Sequence, residues 1–156
     1  NYVNTAVGGF NSTEGVQHMK EKAVDIAPDL CFLAFGMNDA TQGTSPEKVM
    51  QNIVTIMNAI SEVNPNCEFV IVATMLPNAE VYFGGGSMLK THDKQIDAFL
   101  TLEKEGVAVM NFTEISKHLL TLKKFRDMTG NNVNHPNDFL ARIYAHTAIK
   151  TLCKNY

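Results

Sequence analysis

Between Leu30 and Phe35 the chain is an unbroken apolar run, and it stops abruptly at Gly36-Met37-Asn38-Asp39. A run this short, closed by a glycine, reads as a buried strand ending in a turn. In an open α/β sheet, ligands bind at the carboxyl ends of the strands. The stretch therefore predicts that the Asn38 amide leaves the strand at a site where it can donate to a negatively charged oxygen.

The rest of the chain repeats this alternation of strand and helix. Tyr2 to Val7 alternates and turns at Gly8-Gly9, which predicts a short first strand. Ser12 predicts the cap of a helix over 13–27, with Val16, Met19, Ala23 and Ile26 at helical spacing and Pro28 as the stop. Ser45-Pro46-Glu47 is a strong helix start, and Val49, Ile53, Ile56, Met57, Ile60 and Val63 carry that helix to Asn64-Pro65. Glu68 to Thr74 is a second buried strand with little polar alternation, as a parallel sheet covered on both faces requires. Met75 to Lys90 is a long connection whose Gly84-Gly85-Gly86 suggests a flexible lip over a site. A helix over 93–105 ends at Gly106 as C-cap. A strand follows at 107–110, a helix at 113–123, a polar stretch at 126–138 and a last helix at 139–153. The expected architecture is one domain over residues 1–156, a three-layer α/β sandwich around a parallel sheet. The handedness of the crossovers puts all the strand ends named above on one edge.

Composition narrows the function classes. A length of 156 residues with 45% hydrophobic and 19% charged residues suits one globular core. The net charge of −3 comes with no basic cluster interleaved with aromatics, which argues against a nucleic-acid partner. No apolar run approaches the roughly 20 residues of a membrane span. The chain opens in mid-pattern, as though cut from something longer, so both a secreted and a cytoplasmic location stay open. Cys31, Cys67 and Cys153 are an odd count beside apolar segments and read as buried free thiols. His18, His92, His118 and His146 lack metal-ligand spacing, and Gly84-Gly85-Gly86 lacks the lysine end of a phosphate loop. Neither a cofactor nor a metal is expected.

Three positions on the expected site edge can carry chemistry. A backbone N–H freed at Gly9 and the Asn38 side chain form a natural pair of oxyanion donors. His135, in the loop before the last helix and followed by Pro136, is placed as a general base. Each also has a plain structural reading: Gly8-Gly9 as a turn, Asn38-Asp39 as a cap, and Asn134-His-Pro-Asn137 as a helix start.

Asn4-Thr-Ala-Val-Gly-Gly9, Gly36-Met-Asn38-Asp39 and His135-Pro-Asn resemble the second, third and fifth sequence blocks of the SGNH (GDSL-type) hydrolases. That resemblance implies a flavodoxin-like sheet and an esterase or lipase acting through a Ser-His-Asp arrangement. Gly9 and Asn38 would then hold the oxyanion, and His135 would serve the nucleophile and the leaving alcohol. Two departures stand out. The family's aspartate lies three residues before the histidine, and here that residue is Asn132. Asn132 itself, Asp127, Asp138 or a backbone carbonyl is then left to orient the ring. The family's nucleophile, in a Gly-Asp-Ser motif after the first strand, has no counterpart among Ser12, Ser45, Ser61, Ser87 and Ser116.

The chain therefore reads as the C-terminal portion of such a hydrolase, with the serine and an interior strand upstream. That strand belongs between the strands ending at Gly9 and Gly36. The chain is expected to fold stably only when an upstream segment, another fragment or a neighbouring copy supplies it. The expected substrate is a small acyl ester or an acylated carbohydrate, and the isolated chain is expected to be inactive. The rival readings are a non-catalytic binding module on the same fold and, more remotely, a flavodoxin-like nucleotide-binding domain.

Overall fold

The computed structural model describes residues 1–78, 80 and 87–153, with side chains described outside 87–91. Three parallel strands, β1 (Leu30–Leu33), β2 (Glu68–Ala73) and β3 (Val107–Asn111), form a sheet in the order β1-β2-β3. The register pairs Leu30 with Glu68 and Leu33 with Ile71 on one side of β2. On the other side it pairs Phe69 with Val107 and Ala73 with Asn111.

The period-two alternation of β2 divides the core. Phe69, Ile71 and Ala73 point into one apolar cluster, shared with Val49, Ile53, Ile56 and Ile60 of α4 (Pro46–Val63) and with Ile96 and Phe99 of α5 (Ser87–Leu100). Val70 and Val72 point into the other, with Phe112 of α6 (Phe112–Leu120) and Leu140 of α8 (Asp138–Leu152). Helices on both faces of a parallel sheet make the expected three-layer sandwich. Each large side chain so buried contributes about 1.5–3 kcal/mol of transfer free energy.

The start of α4 follows from its sequence. Ser45 Oγ accepts from the Lys48 N–H at 3.2 Å, and Pro46 sits at the first helical position, where its missing N–H costs nothing. No described helix is long and apolar enough to cross a membrane.

Several expectations are corrected. Residues 1–7 form no strand; Tyr2 and Val3 are exposed, and a single extended segment with no neighbouring strand has nothing to complete its backbone bonds. The stretch from Leu30 is not buried on both faces: β1 ends at Leu33 and lies at the sheet edge, with Leu30 39% and Phe32 45% exposed. The helix expected over 13–27 is broken into α1 (Ser12–Gln17), α2 (Met19–Lys22) and a 3₁₀ turn at Val24–Ile26, with non-helical backbone at Ala23 between the last two. Its cap is Asn11 rather than Ser12, because the Asn11 and Glu14 side chains reciprocate in a capping box.

Asn38 lies inside a short helix, α3 (Met37–Thr41), instead of in an open turn. The helix expected to begin at Asp93 starts at Ser87 and ends at Leu100, so Gly106 is not its cap; with φ of 76° it turns the chain into β3. The polar stretch expected over 126–138 is entered by a short helix, α7 (Phe125–Met128). The glycine lip at 84–86 lies outside the described residues.

Candidate active site

The turn after β1 is locked from several directions. Gly36 has φ of 119°, a conformation that side-chain-bearing residues avoid, and an added Cβ would run into Gln95 Oε1. Gln95, buried on α5, donates its amide to the Gly36 carbonyl at 3.0 Å. The Asp39 carboxylate, fully buried in the first turn of α3, reaches back to the Gly36 N–H at 3.0 Å. The same carboxylate accepts the Ser12 N–H at 3.0 Å and the Ser12 hydroxyl at 2.5 Å. Asn52 of α4 completes the cluster by donating to Ser12 Oγ at 2.9 Å.

This cluster joins two loops far apart in sequence. Gly9, with φ of 87°, lies in a turn closed by the Phe10 N–H on the Val7 carbonyl at 3.3 Å. Asn38 Nδ2 donates to the Phe10 carbonyl at 2.9 Å, and Asn11 Nδ2 donates to Gln42 Oε1 at 2.6 Å. An amide nitrogen carries two protons, so the bond to Phe10 fixes the Asn38 side chain and leaves one N–H free. The Gly9 N–H makes no hydrogen bond among the described residues.

His135 is held differently. Asn131 Oδ1 accepts the N–H groups of Val133 at 2.9 Å and of Asn134 and His135 at 3.0 Å, drawing the loop into a compact turn. The His135 carbonyl accepts from the Gly130 N–H at 2.8 Å. Asn132 occupies the left-handed region at φ 58°, a conformation asparagine tolerates, and its side chain is exposed. Its carbonyl accepts from Asn78 Nδ2 at 2.9 Å, and no hydrogen bond joins Asn132 to the His135 ring among the described residues. Asp127 caps α7 through the Lys124 N–H at 3.1 Å, and Asp138 pairs with Arg142 Nε at 3.0 Å. Neither bonds to the imidazole among the described residues.

Gly9, Asn38 and His135 line one cavity of about 390 Å³ at the carboxyl edge of the sheet, together with Met37, Thr74 and Tyr144. An N–H pair beside an imidazole can stabilise an oxyanion and move a proton, which is what acyl transfer asks of a protein. No serine lines this cavity among the described residues. Ser12 is fully buried in the Asp39 cluster, Ser45 caps α4, Ser61 lies within α4, and Ser116 donates to the Thr113 carbonyl. Ser87 begins α5, and its side chain is outside the described set.

Sequence reasoning read Asp39 only as part of a cap and passed over Thr74 and Tyr144. Asp39 had a signal, an acid three residues after a glycine at a helix start. Tyr144 had none, because its role comes from long-range packing. Its ring stacks on Phe112 at 3.5 Å between centroids, and its hydroxyl accepts the Met75 N–H at 2.6 Å. Burial raises the Tyr144 pKa, so the phenol keeps its proton.

Comparison with known proteins adds to this geometry. A comparison with curated proteins found no match. A family model for the GDSL-like lipase/acylhydrolase family matches residues 1–143. Among solved structures, a protein from Parabacteroides merdae described as a GDSL-like lipase is 17% identical, with a TM-score of 0.76 over 92% of this chain and 68% of its own. A carbohydrate esterase family 3 protein from Talaromyces cellulolyticus is 13% identical, with a TM-score of 0.70 over 94% and 68%. A catalytic mutant of an acetylxylan esterase from Geobacillus stearothermophilus is 11% identical, with a TM-score of 0.76 over 92% and 68%. At such identities the likeness establishes the fold. The family follows from the sequence match over most of the chain: this protein belongs to the GDSL-like lipase/acylhydrolase family, whose chemistry is ester hydrolysis.

Proposed function

We propose that this chain carries the oxyanion donors and the base of a serine ester hydrolase whose nucleophile lies on a segment upstream of Asn1. The observation that carries the reading is the convergence of Gly9, Asn38 and His135 on one cavity that no described serine lines. In the proposed cycle the upstream serine attacks the ester carbonyl and His135 takes its proton. The Gly9 N–H and the free Asn38 N–H hold the tetrahedral oxyanion. Collapse expels the alcohol, which receives the proton from His135, and water then attacks the acyl-enzyme with His135 again as base. The substrate class is a small acyl ester, with an acetyl group on a carbohydrate as the specific proposal. The esterase names among the structural neighbours support that choice.

The sheet edge supports an upstream strand. The outer edge of β1 pairs with nothing among the described residues. A groove of about 1320 Å³ runs along it, lined by Val3, Val7, Leu30, Phe32, Tyr144 and Ala148 among others. A parallel strand seated there would satisfy the β1 backbone, cover Phe32 and deliver its carboxyl end beside Gly9 and Asn38.

The test uses the full-length protein. A fluorophosphonate probe should label one upstream serine, and hydrolysis of a small aryl acetate should fall by about 10²–10⁴-fold in His135→Ala. Retained hydrolysis in that variant removes His135 as base. A second reading, a binding module that keeps the fold without turnover, is favoured by Asn132 in place of the family's aspartate. Absence of labelling in the full-length protein selects it.

A further inference from the structure

We propose that Asp39 is a positioning residue for the oxyanion site, with Ser12 and Asn52 as its partners, holding the Gly9 loop and the Asn38 turn at a fixed separation. The inference rests on the reading of Gly9 and Asn38 as oxyanion donors. Asp39 lines no part of the cavity. Its carboxylate instead joins the two backbone segments that carry the donors, through the Gly36 N–H on one side and the Ser12 N–H and hydroxyl on the other. Asn52 ties the same cluster to α4, the longest helix among the described residues.

All three side chains are buried, with Asp39 and Ser12 at 0% exposure and Asn52 at 4%. Water does not replace a lost partner at such a site, so the geometry is set by the protein alone. A carboxylate suits the position because every contact made to it is a donor. One acceptor group thereby organises both the Gly36 turn and the start of α1, bonding to Ser12 across 27 residues of sequence. Oxyanion donors act only when they meet the developing charge at hydrogen-bond distance, and a shift of about 1 Å can cost on the order of 10²-fold in rate.

The experiment compares Asp39→Asn, Ser12→Ala and Asn38→Ala in the full-length protein, with the Asp39→Asn/Asn38→Ala double variant closing the cycle. Asp39→Asn turns an amide N–H toward donors and should lower kcat about 10–100-fold while KM stays within about twofold. In the Asn38→Ala background the same change should have a clearly smaller effect on kcat, because one of the two donors it positions is already removed. A general loss of structure would lower activity equally in both backgrounds. Side-chain amide NMR reads the same device without turnover: the Asn38 N–H bonded to Phe10 should exchange slowly in the native protein and quickly in Ser12→Ala and Asp39→Asn.

An unchanged kcat in folded Asp39→Asn overturns the proposal, as does an undiminished effect in the Asn38→Ala background. Unaltered exchange of the Asn38 amide in Ser12→Ala overturns it also, and that readout serves if Asp39→Asn does not fold. Asn38→Ala and His135→Ala separate this inference from the one beneath it. If both retain activity, the site assignment falls and the positioning role falls with it. If both lose activity while the Asp39 cycle is additive, only the positioning role falls.

Discussion

Asn38 stands in a helical turn whose supports (Gly36, Asp39, Ser12, Asn52 and Gln95) are all buried, whereas His135 stands on an exposed loop organised by the exposed Asn131. The two residues share a cavity and differ in how they are held. On the donor side, a substitution leaves a buried polar group without a partner, and the loss cannot be made good by solvent. On the base side, every bond to Asn131 competes with water. The contrast matches the proposed tasks. Oxyanion stabilisation depends on donors fixed before the charge develops, while a proton-transferring imidazole has to serve the nucleophile and the leaving group in turn.

That contrast can be broken most directly at Asn38. Asn38→Ala in the full-length protein should cost about 10²–10³ in kcat, or roughly 2.7–4 kcal/mol of barrier, with a small change in KM. An equal rise in KM at constant kcat, seen in steady-state kinetics on an aryl acetate, assigns Asn38 to substrate binding instead.

A second probe lies behind the donor side. His92 is buried on α5, with its Nε2 2.9 Å from Thr74 Oγ1, and burial pushes its pKa down from 6.5 to about 4. The folded state therefore binds its proton less readily than the unfolded chain. The stability that neutral His92 contributes is complete above about pH 6.5 and is lost as pH falls toward 4. The full difference is on the order of 3 kcal/mol. Thermal melts at pH 7 and pH 5 should show a drop that shrinks in His92→Gln. A wild-type melting temperature independent of pH over this window rejects the desolvation account.

The base side should respond more weakly. Asn131→Ala removes the acceptor of three backbone N–H groups but opens them to water, so the loop should loosen by about 1–2 kcal/mol. Hydrogen exchange at Val133, Asn134 and His135 should quicken about tenfold while the global melting temperature barely moves. A large global loss of stability would erase the distinction between the two sides. Asp138→Asn should do least, under about 1 kcal/mol, since its pair with Arg142 is 84% and 73% exposed. Should aryl acetate hydrolysis fall and its pH profile move, Asp138 becomes the partner of the His135 ring.

Much of the sandwich was legible because its signals are local. The α4 cap and apolar stripe, the run of β2 and the alternation of strand with helix each lie within one short window. The candidate site was legible in part for the same reason: Asn38 follows β1 and His135 precedes α8, ends that the sequence marks, whereas the strand expected before Gly9 does not form. What escaped was non-local. Tyr2 to Val7 has the pattern of a strand, but a strand is completed by its neighbour and this segment has none. Ser12 reads as a cap because serine is among the favoured cap residues, yet the cap is Asn11 and the Ser12 hydroxyl is spent on a carboxylate from another loop.

The sequence by itself determined the α/β class, the positions of β2, α4 and α8, and the three side-chain or backbone groups that gather at the sheet edge. Tertiary structure alone decided that β1 is an exposed edge and that Asp39 and Ser12 tie two loops together behind the site. It also leaves the His135 ring without a hydrogen bond among the described residues. The reason is one of range. Hydrophobic periodicity and capping act over a few residues and are written in neighbouring letters, whereas strand pairing and buried polar contacts join residues tens of positions apart and exist only once the chain has packed.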